Sequence, residues 1–415
     1  MRVIVLGAGV IGVTTAYQLL QDGHQVTVLE REKEAADFTS FGNAGLVTPG
    51  HAYAWASPKA PGMMWRSLLS GDQAIVFKPR LDPRQWRWTG QFLGQCTAER
   101  ARINTINKAR LCKYSQQMLQ GIVASTGVTY DRTTGGAVYF YRSPASFSAG
   151  SAKAELLRAQ GLAVEKLTPA EAVVRDPGLA AAADQMAGAL FVPSDESGDC
   201  RKFTQGLAAV CAQRGVTFRY GTKVTGFSLS GGAVSSVETD AGPMTADAYV
   251  VCLGVYAPHA LERIGVRVPI YPVKGYSLTI PVTQPSQMPR QPGVDEDNLL
   301  AYCPMGNRLR VTATAEIAGY SNAHKPTDFA VMSERARKLF PKAVDHARAQ
   351  QWAGLRPMTP TGMPVIDRTP YDNLWLNTGH GHIGWTMSAG SARVLADLVG
   401  QRKPAISREG MLYES

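Results

Sequence analysis

The chain has 415 residues, of which 45% are hydrophobic and 18% are charged, as in an ordinary folded enzyme. Its formal net charge of +10 favours acidic partners, but no recognised nucleic-acid-binding motif accompanies the charge, so a nucleic-acid partner is not expected. No apolar run reaches roughly 18 residues, so we predict no transmembrane helix, and the length predicts about two domains.

Six cysteines are scattered along the chain without a C-x-x-C pair. This spacing predicts reduced thiols in a cytoplasmic protein, with neither a disulfide framework nor a metal site. The N-terminal apolar run carries regular glycines and lacks a small-residue cleavage site, so we do not expect a signal peptide.

The first thirty residues predict a β-α-β unit. Alternation and apolar content predict strands at Arg2–Leu6 and Gln25–Leu29, with a helix over residues 12–22 between them. Such a unit opens a doubly wound nucleotide-binding fold.

A glycine motif lies between the first strand and the helix. Gly7, Gly9 and Gly12 have the G-x-G-x-x-G spacing that lets backbone approach a pyrophosphate at the N-terminus of a helix. Glu30 ends the second strand, where an acid would bind ribose hydroxyls and disfavour a 2′-phosphate. The pattern predicts a dinucleotide other than NADP.

Residues 50–95 are rich in Pro, Trp and Gly and show no clear periodicity, so we interpret them as an ordered excursion and not a linker. Within them, "WRSLL" (65–69) and "RQWRW" (84–88) interleave Arg with Trp. Interfacial membrane segments share this pattern, and so does a basic surface loop packed by its own tryptophans.

The remaining elements follow from periodicity and capping residues. "TPAE" (168–171) predicts a capping box at a helix start. We predict helices at 99–124, 146–160, 202–213, 333–340 and 386–398, a strand at 135–142, two strands in 215–229 joined at Gly221, and strand-like segments in 233–253 and 267–281.

Several further segments are informative through their order and spacing. The loop "SFGNAG" (40–45), the apolar strand "DAYVVCLGVYAP" (247–258), "GLRPMTPTGMPVID" (354–367) and the glycine-rich "NTGHGHIGWTMSAG" (377–390) follow one another along the chain. Together with "RVIVLGAGVIGVTTAYQL", "DESGDCRKFTQGLA" and "RVPIYPVKGYSLTIP", they resemble the D-amino acid oxidase and glycine oxidase superfamily of FAD enzymes, and most closely the bacterial dye-linked D-amino acid dehydrogenases.

This resemblance covers nearly the whole chain and implies a fold. We expect an α/β protein with a Rossmann-like FAD-binding domain and an inserted α+β substrate domain that carries a mixed, largely antiparallel sheet. The expected FAD-binding domain comprises residues 1–50, 195–262 and 350–415, and the substrate domain comprises 51–194 and 263–349.

The resemblance also implies a set of cofactor contacts, because the glycine-rich segment corresponds to the loop along the pyrimidine side of the flavin. Backbone N–H groups near the start of the last helix would there stabilise charge at flavin N1 and O2. The residues expected to bind FAD are Gly7, Gly9, Val10, Ile11, Gly12, Glu30, Arg31, Ser40, Asn43, Ala44, Gly45, Leu46, Val224, Gly254, Gly354, Arg356, Gly379, His380, Gly381, His382, Ile383 and Gly384.

The implied reaction is hydride transfer from Cα of a D-amino acid to flavin N5, followed by hydrolysis of the imine to a 2-oxo acid and ammonia. No catalytic acid at Cα is required, and His51 and Tyr53 are candidates to accept the amine proton. Arg356, Tyr276 and Tyr302 are expected to bind the substrate, because a carboxylate favours an arginine fork.

One departure from the family pattern concerns this substrate site. An arginine commonly precedes the strand that is "NRLRV" (307–311) here, and an ungapped comparison places Pro304 at its position. Arg308 and Arg310 share one face of that strand and are interpreted as surface residues. The substrate alternatives are a D-amino acid, a cyclic imino acid such as D-proline or a hydroxyproline epimer, and an amine without a carboxylate.

Other functions are compatible with the same sequence. One is an oxidase of glycine, sarcosine or another secondary amine, and another is a non-catalytic flavin-binding subunit that relays electrons. An NAD-dependent dehydrogenase shares the same glycine fingerprint. The preferred interpretation is a dehydrogenase that passes electrons to a quinone or another respiratory acceptor, in the cytoplasm or peripherally on the inner face of the cytoplasmic membrane.

Overall fold

The computed structural model describes residues 1–68 and 75–414. Its helices are α1 (Val10–Gln21), α2 (Ala60–Ser67), α3 (Pro83–Gly94), α4 (Ala98–Thr126), α5 (Pro144–Ala159), α6 (Pro169–Arg175), α7 (Cys200–Gln213), α8 (Ala257–Leu261), α9 (Ala330–Leu339) and α10 (Gly384–Val399).

Two large sheets contain most of the strands. The strands are β1 (Arg2–Leu6), β2 (Gln25–Leu29), β3 (Leu46–Val47), β4 (Ile75–Phe77), β5 (Ala137–Tyr141), β6 (Glu165–Leu167), β7 (Gly188–Val192), β8 (Glu196–Ser197), β9 (Thr217–Arg219), β10 (Val224–Ser230), β11 (Ala233–Thr239), β12 (Ala248–Val251), β13 (Tyr271–Pro281), β14 (Gly293–Asp295), β15 (Leu300–Met305), β16 (Arg308–Ile317), β17 (Gln350–Met358), β18 (Val365–Arg368) and β19 (Leu374–Thr378).

Over residues 1–68 and 75–414, the first sheet has six strands in the order β18-β19-β12-β1-β2-β9. All neighbouring pairs are parallel except β18 and β19, so the opening of the chain forms the predicted β-α-β unit. Successive side chains of β1 pack into two hydrophobic cores on opposite faces of the sheet. Val3 and Val5 pack with α1, α4, α7 and α10, whereas Ile4 and Leu6 pack towards α8 and the β10–β11 hairpin.

In the described part of the chain the second sheet has nine strands, of which eight follow the order β17-β13-β16-β15-β14-β5-β7-β6 and the ninth, β4, pairs with β16. Among the strand pairs of this sheet within the described residues, only β14–β5 and β16–β4 are parallel. The second sheet is therefore mixed and largely antiparallel, as predicted. The proposed domain bounds stay a prediction.

Most predicted elements are found within a few residues of their expected bounds. The helix predicted from residue 12 begins at Val10, and the capping box at Thr168 and Glu171 forms with both reciprocal bonds. The two strands predicted in 215–229 are present but belong to different structures, since β9 pairs with β2 and β10 pairs with β11.

The excursion at 50–95 contains regular structure that periodicity alone did not predict. It holds α2, β4 and α3, and α3 begins with Pro83 after Asp82, whose side chain accepts a hydrogen bond from the Arg84 N–H. The Asp82-Pro83 pair is a sequence signal for the start of a helix. Residue 69 of the "WRSLL" segment lies outside the described residues. Among the described helices, none is long and apolar enough to cross a bilayer.

Candidate functional site

The glycine turn after β1 leaves no room for a side chain at Gly7 or Gly12. Gly7 has φ of +103°, and a Cβ on it would lie 2.7 Å from the Cys252 carbonyl oxygen. A Cβ on Gly12 would lie 1.8 Å from the Gly7 carbonyl oxygen. Gly12 therefore serves the packing of α1 on the turn, while Gly7 and Gly9 face the cavity beyond it.

The N-terminus of α1 is open to an anion. Gly9 caps the helix without a side-chain bond, and the first turn contains no acidic residue. The Val10 N–H donates to Ser40 Oγ over 3.1 Å, and the Ala8 N–H donates to Glu30 Oε2 over 2.6 Å. A phosphate group fits the helix end, and Glu30 is placed beside it at the end of β2.

One cavity of about 750 Å³ extends from this turn to the second sheet. Its volume is within the usual range for a bound organic ligand. Of the residues predicted to bind the cofactor, the cavity is lined by Gly7, Gly9, Val10, Ile11, Glu30, Arg31, Ser40, Asn43, Ala44, Gly45, Leu46, Val224, Gly254, Gly354, Arg356, His380, Gly381, His382, Ile383 and Gly384, whereas Gly12 and Gly379 lie outside the lining.

The loop at residues 40–46 is fastened to the second sheet. Arg310 donates from Nη1 to the Asn43 carbonyl oxygen over 2.7 Å and is buried. Gly45 has φ of +76°, and a Cβ there would lie 2.1 Å from Met305 Cε. The expectation that Arg310 is a surface residue is wrong, because its guanidinium joins β16 to this loop. Arg308, on the same face, pairs with Asp131 and Asp199.

The glycine-rich segment between β19 and α10 is pressed against the end of β17. Gly379 has φ of +82° and would place a Cβ 2.7 Å from Thr359 Cγ2. Gly381 has φ of +61° and would place one 3.0 Å from Met358 Sδ. Left-handed backbone and close packing thus require glycine at both positions.

The two histidines of this segment have different surroundings. His380 is buried, and its Nε2 forms a 2.9 Å hydrogen bond with Ser391 Oγ. Burial lowers the pKa of His380 to about 3. His382 stacks on Trp55 with ring centroids 4.4 Å apart, and within the described chain neither of its buried ring nitrogens has a hydrogen-bond partner.

Arg356 lies on β17 in the wall of the cavity. Its Nη1 donates to the Thr314 carbonyl oxygen over 3.2 Å, and its Cζ lies 5.8 Å from the Trp55 ring centroid. No carboxylate of the described residues lies within salt-bridge distance, and desolvation alone lowers the Arg356 pKa to about 10. An uncompensated cation of this kind favours an anionic ligand.

A β-bulge supplies the carbonyl that Arg356 contacts. Gly275 is paired with Ala315 and Tyr276 with Ala313, so Thr314 is an extra residue in β16. Thr314 has φ of +60°, an unfavourable conformation for a β-branched residue. The bulge costs on the order of 1–3 kcal/mol and lies directly at the cavity, as strained backbone at functional sites often does.

Titratable groups cluster at another part of the cavity wall. His51 Nε2 and Glu296 Oε1 are 2.8 Å apart, and the His51 ring stacks on Tyr139. Burial, followed by the charge of Glu296, raises the pKa of Tyr53, so its hydroxyl stays protonated. Behind them, burial raises the pKa of Asp195 to about 7 despite hydrogen bonds from Tyr139 and the Gly50 N–H.

The two tyrosines expected at the substrate site have other surroundings. Tyr276 borders the cavity, but its hydroxyl donates to Glu316 Oε2 over 2.9 Å on the core side of the sheet. Tyr302 is completely buried against Phe340 and does not line the cavity. Pro304 shares the Tyr302 face of β15, so a side chain at 304 would point away from the cavity. An arginine at 304 would thus not reach a ligand there.

Sequence reasoning missed Trp55, Lys108 and Glu296, among other residues of this region. Trp55 contacts both His382 and Arg356, and Lys108 is fully buried, with Nζ donating to the Tyr53 carbonyl oxygen over 2.9 Å. Desolvation lowers the pKa of Lys108 to about 8. A signal for Lys108 existed, because it interrupts the buried face of α4 between Thr105 and Cys112 at helical spacing.

Comparisons with known proteins give a family and several relatives. The model of the DAO family, described as FAD dependent oxidoreductase, matches residues 2–398. The chain is 46% identical over 414 residues to D-amino acid dehydrogenase 2 of Mesorhizobium japonicum, with all of both chains covered. It is 45% identical over 406 residues to a D-amino acid dehydrogenase of Cereibacter sphaeroides, covering 98% of this chain and 93% of the relative.

Solved structures share the fold at lower identity. Glycine oxidase from Geobacillus kaustophilus superposes with a TM-score of 0.77 at 21% identity, covering 100% of this chain and 98% of the other. L-proline dehydrogenase from P. horikoshii superposes with a TM-score of 0.73 at 17% identity, covering 96% and 93%. At these identities the likeness concerns the fold alone.

Proposed function

This chain belongs to the DAO family of FAD-dependent oxidoreductases, and from that premise we propose that it oxidatively deaminates a D-amino acid to a 2-oxo acid and ammonia. It is an enzyme with FAD as its cofactor, and its named relatives are D-amino acid dehydrogenases that it matches over essentially their full length. The proposed substrate class rests on those relatives and on the chemistry of the cavity.

The described residues fit FAD. The uncapped N-terminus of α1 would hold the pyrophosphate, Glu30 would accept hydrogen bonds from ribose hydroxyls, and the segment from Gly381 to Gly384 borders the far part of the same cavity. We assign FAD binding to the twenty cavity-lining residues named above, with Gly12 and Gly379 shaping the backbone behind them. When bound there, FAD would supply the oxidant for hydride removal from the substrate Cα.

The observation that carries the proposed substrate is the environment of Arg356. It is a cavity-lining cation without a carboxylate partner in the described chain, held against Gly275 and the Thr314 carbonyl. A substrate carboxylate would supply the missing anion and fix the orientation of Cα. An amine without a carboxylate would leave the buried charge of Arg356 without a counter-ion.

The remaining chemistry is the removal of a proton from the amine, since the nitrogen lone pair must be free when the hydride leaves. His51 borders the cavity and is oriented by Glu296, so we assign it the role of proton acceptor. Tyr53 contributes a protonated hydroxyl beside it. The aromatic ring of Trp55 provides an apolar wall that suits a cyclic imino acid as well as an open-chain side chain.

For the electron acceptor we propose a quinone or a soluble dye substitute, reached at a peripheral membrane contact. Trp65 on α2 is exposed, Trp86 on α3 is exposed next to its chain neighbour Arg87, and Leu81 between the helices is fully exposed. Aromatic and apolar side chains interleaved with cations suit the surface of an anionic bilayer. Met63, on the same helix as Trp65, lines the cavity, which brings this surface close to the site.

Anaerobic mixing with single amino acids tests the proposal. The purified flavoprotein is mixed with D- and L-isomers, D-proline, hydroxyproline epimers, glycine and sarcosine, and bleaching of the oxidised flavin band is followed. We expect D-isomers to bleach it and L-isomers to leave it oxidised. If only secondary amines reduced the flavin, the substrate would be a secondary amine and not a primary D-amino acid. If none of these compounds reduced it, the proposal would be overturned.

A second measurement tests the membrane contact. Sedimentation with vesicles of anionic phospholipid should retain the wild-type chain and release the double variant Trp65→Ser, Trp86→Ser. Exposed serines should leave flavin reduction by a D-amino acid unchanged. Equal sedimentation of both proteins would refute the contact without affecting the proposed substrate.

A further inference from the structure

His382 has hydrogen-bonding capacity that the described protein does not use. Its ring lies in the cavity wall on Trp55, and both buried nitrogens are without a partner among the described residues. The other histidines of the site are engaged, since His380 bonds Ser391 and His51 bonds Glu296. Leaving a buried polar group unpaired is costly, so a ligand is expected to complete this site.

The surroundings of His382 determine its charge. Burial lowers its pKa well below the ordinary value, and the positive charges of Lys108, His51 and Arg356 act in the same direction. The imidazole is therefore neutral, with one nitrogen that donates and one that accepts a hydrogen bond. A neutral acceptor among cations can bind an N–H group without adding repulsion.

Trp55 relates this acceptor to the proposed carboxylate site. The His382 ring is stacked 4.4 Å from the Trp55 ring, and the Arg356 guanidinium lies 5.8 Å from that ring. Both groups thus border the same part of the cavity. An α-amino acid carries its carboxylate and its nitrogen on one carbon, so its two polar groups can be divided between two neighbouring side chains.

We propose that the His382 side chain accepts a hydrogen bond from the substrate nitrogen while Arg356 binds the carboxylate. This inference rests on the proposed function, and it makes His382 a specificity-determining residue that distinguishes amino acids from carboxylates without an amine. The backbone of the same residue remains available to the flavin, since the ring is directed towards Trp55.

Two ligands that differ only at the nitrogen test the inference. 2-Aminoisobutyrate has no hydrogen on Cα and so cannot be oxidised, and pivalate carries a methyl group in place of its amine. Their dissociation constants are measured by perturbation of the flavin absorbance in the holoenzyme. In His382→Phe, which keeps a ring to stack on Trp55, binding of 2-aminoisobutyrate should weaken about tenfold or more, while that of pivalate stays unchanged.

Further variants separate a polar role from a structural one. His382→Gln, whose amide offers an acceptor, should recover part of the lost affinity for 2-aminoisobutyrate. If the Phe variant does not retain FAD, His382→Leu is compared with wild type using the same two ligands. Equal weakening of both ligands, or no change in either, would overturn the inference. Failure of the proposed function is seen separately, as absence of flavin reduction by D-amino acids in wild type.

Discussion

The guanidinium of Arg356 occupies the space where a side chain on Gly275 would lie. A Cβ built on Gly275 would be 2.3 Å from Nη2 and 2.4 Å from Cζ of Arg356. The two residues are on adjacent strands, with Gly275 paired to Gly354, two residues before the arginine. The absence of a side chain at 275 is thus a condition for the position of the cation.

Replacement of this glycine should weaken substrate binding. Gly275→Ala displaces the guanidinium from its contact with the Thr314 carbonyl, so the proposed carboxylate contact is lost or distorted. We expect kcat/KM to fall by about 10- to 100-fold, the range for loss of a charged hydrogen bond. Steady-state kinetics with a D-amino acid and a dye acceptor measures the change.

The control for this variant is another strand glycine. Gly226 in β10 would carry a Cβ with no heavy atom within 4 Å of it, so Gly226→Ala should leave kcat/KM unchanged. FAD content should be equal in both variants. A Gly275→Ala enzyme with wild-type kinetics would contradict the assigned role of Arg356.

The nucleotide turn predicts a strong difference between two helical glycines. In Gly12→Ala, the new methyl group would meet the Gly7 carbonyl oxygen at 1.8 Å, so α1 must move away from the turn. We expect loss of bound FAD and destabilisation of about 2 kcal/mol or more. FAD content and thermal unfolding check this outcome.

Gly121 in α4 provides the matched substitution, since nothing lies within 4 Å of its Cβ position. Alanine there restricts the unfolded chain and favours helix, so Gly121→Ala should stabilise by about 0.4–1 kcal/mol. Retention of FAD by Gly12→Ala would argue against the tight-turn account.

Buried His380 predicts a loss of stability in acid. Its pKa is about 3 in the folded protein and lies near 6.5 when unfolded, so the unfolded chain binds the proton first. Stability is complete above pH 6.5 and falls as the pH drops towards 3, by about 2 kcal/mol at pH 5. In His380→Gln, the decline of the free energy of unfolding between pH 6.5 and 5 should be shallower.

Urea unfolding at a series of pH values measures this slope. His324→Gln, a substitution of an exposed histidine, is the control and should follow the wild-type curve. If His380→Gln declined as steeply as wild type, another group would be responsible for the acid sensitivity.

Lys108 predicts a complementary effect in alkali. Desolvation lowers its folded pKa from 10.5 to about 8, so between these values the unfolded chain holds the extra proton. The stability of wild type relative to Lys108→Met should therefore rise from pH 8 to 10.5, by about 3 kcal/mol in total. Below pH 8, Lys108→Met gains stability because it no longer buries a charge. This gain is offset because the Tyr53 carbonyl loses its hydrogen bond, which costs about 1–3 kcal/mol.

Chemical unfolding of both proteins across this range provides the comparison. Lys113→Met, on the same helix, controls for loss of a lysine–carbonyl hydrogen bond, because Lys113 donates to the Gln160 carbonyl oxygen. Parallel curves for wild type and Lys108→Met would show that burial of the ammonium group carries no desolvation cost.

The parts of the site that depend on local chain geometry were predictable from sequence. Gly7, Gly9, Gly12 and Glu30 lie within one β-α-β unit, so their spacing alone predicts a nucleotide turn. The family of the chain was also predictable, since its motifs extend over most of the length. Helix α3 could have been predicted from the Asp82 cap.

Contacts between distant segments could not be obtained in this way. The clamp from Arg310 to Asn43 depends on the approach of the second sheet to a loop 267 residues earlier in the chain. The directions of Tyr302 and Pro304 depend on which face of β15 meets the cavity, and a single residue of register reverses that choice. The stacking of His382 on Trp55 likewise joins two loops whose proximity no local pattern encodes.

Because Thr314 is an extra residue in β16, odd-numbered side chains point to one face of the sheet before it and to the other face after it. Before it, the odd residues Leu309 and Val311 enter the core beside Tyr276; after it, the odd residues Ala315 and Ile317 pack with Trp88 on the other face. Deletion of residue 314 would turn the side chains of one half of the strand to the opposite face of the sheet. Homologous chains should therefore favour glycine, asparagine or aspartate at position 314, where φ is positive, and tolerate very few changes in length there.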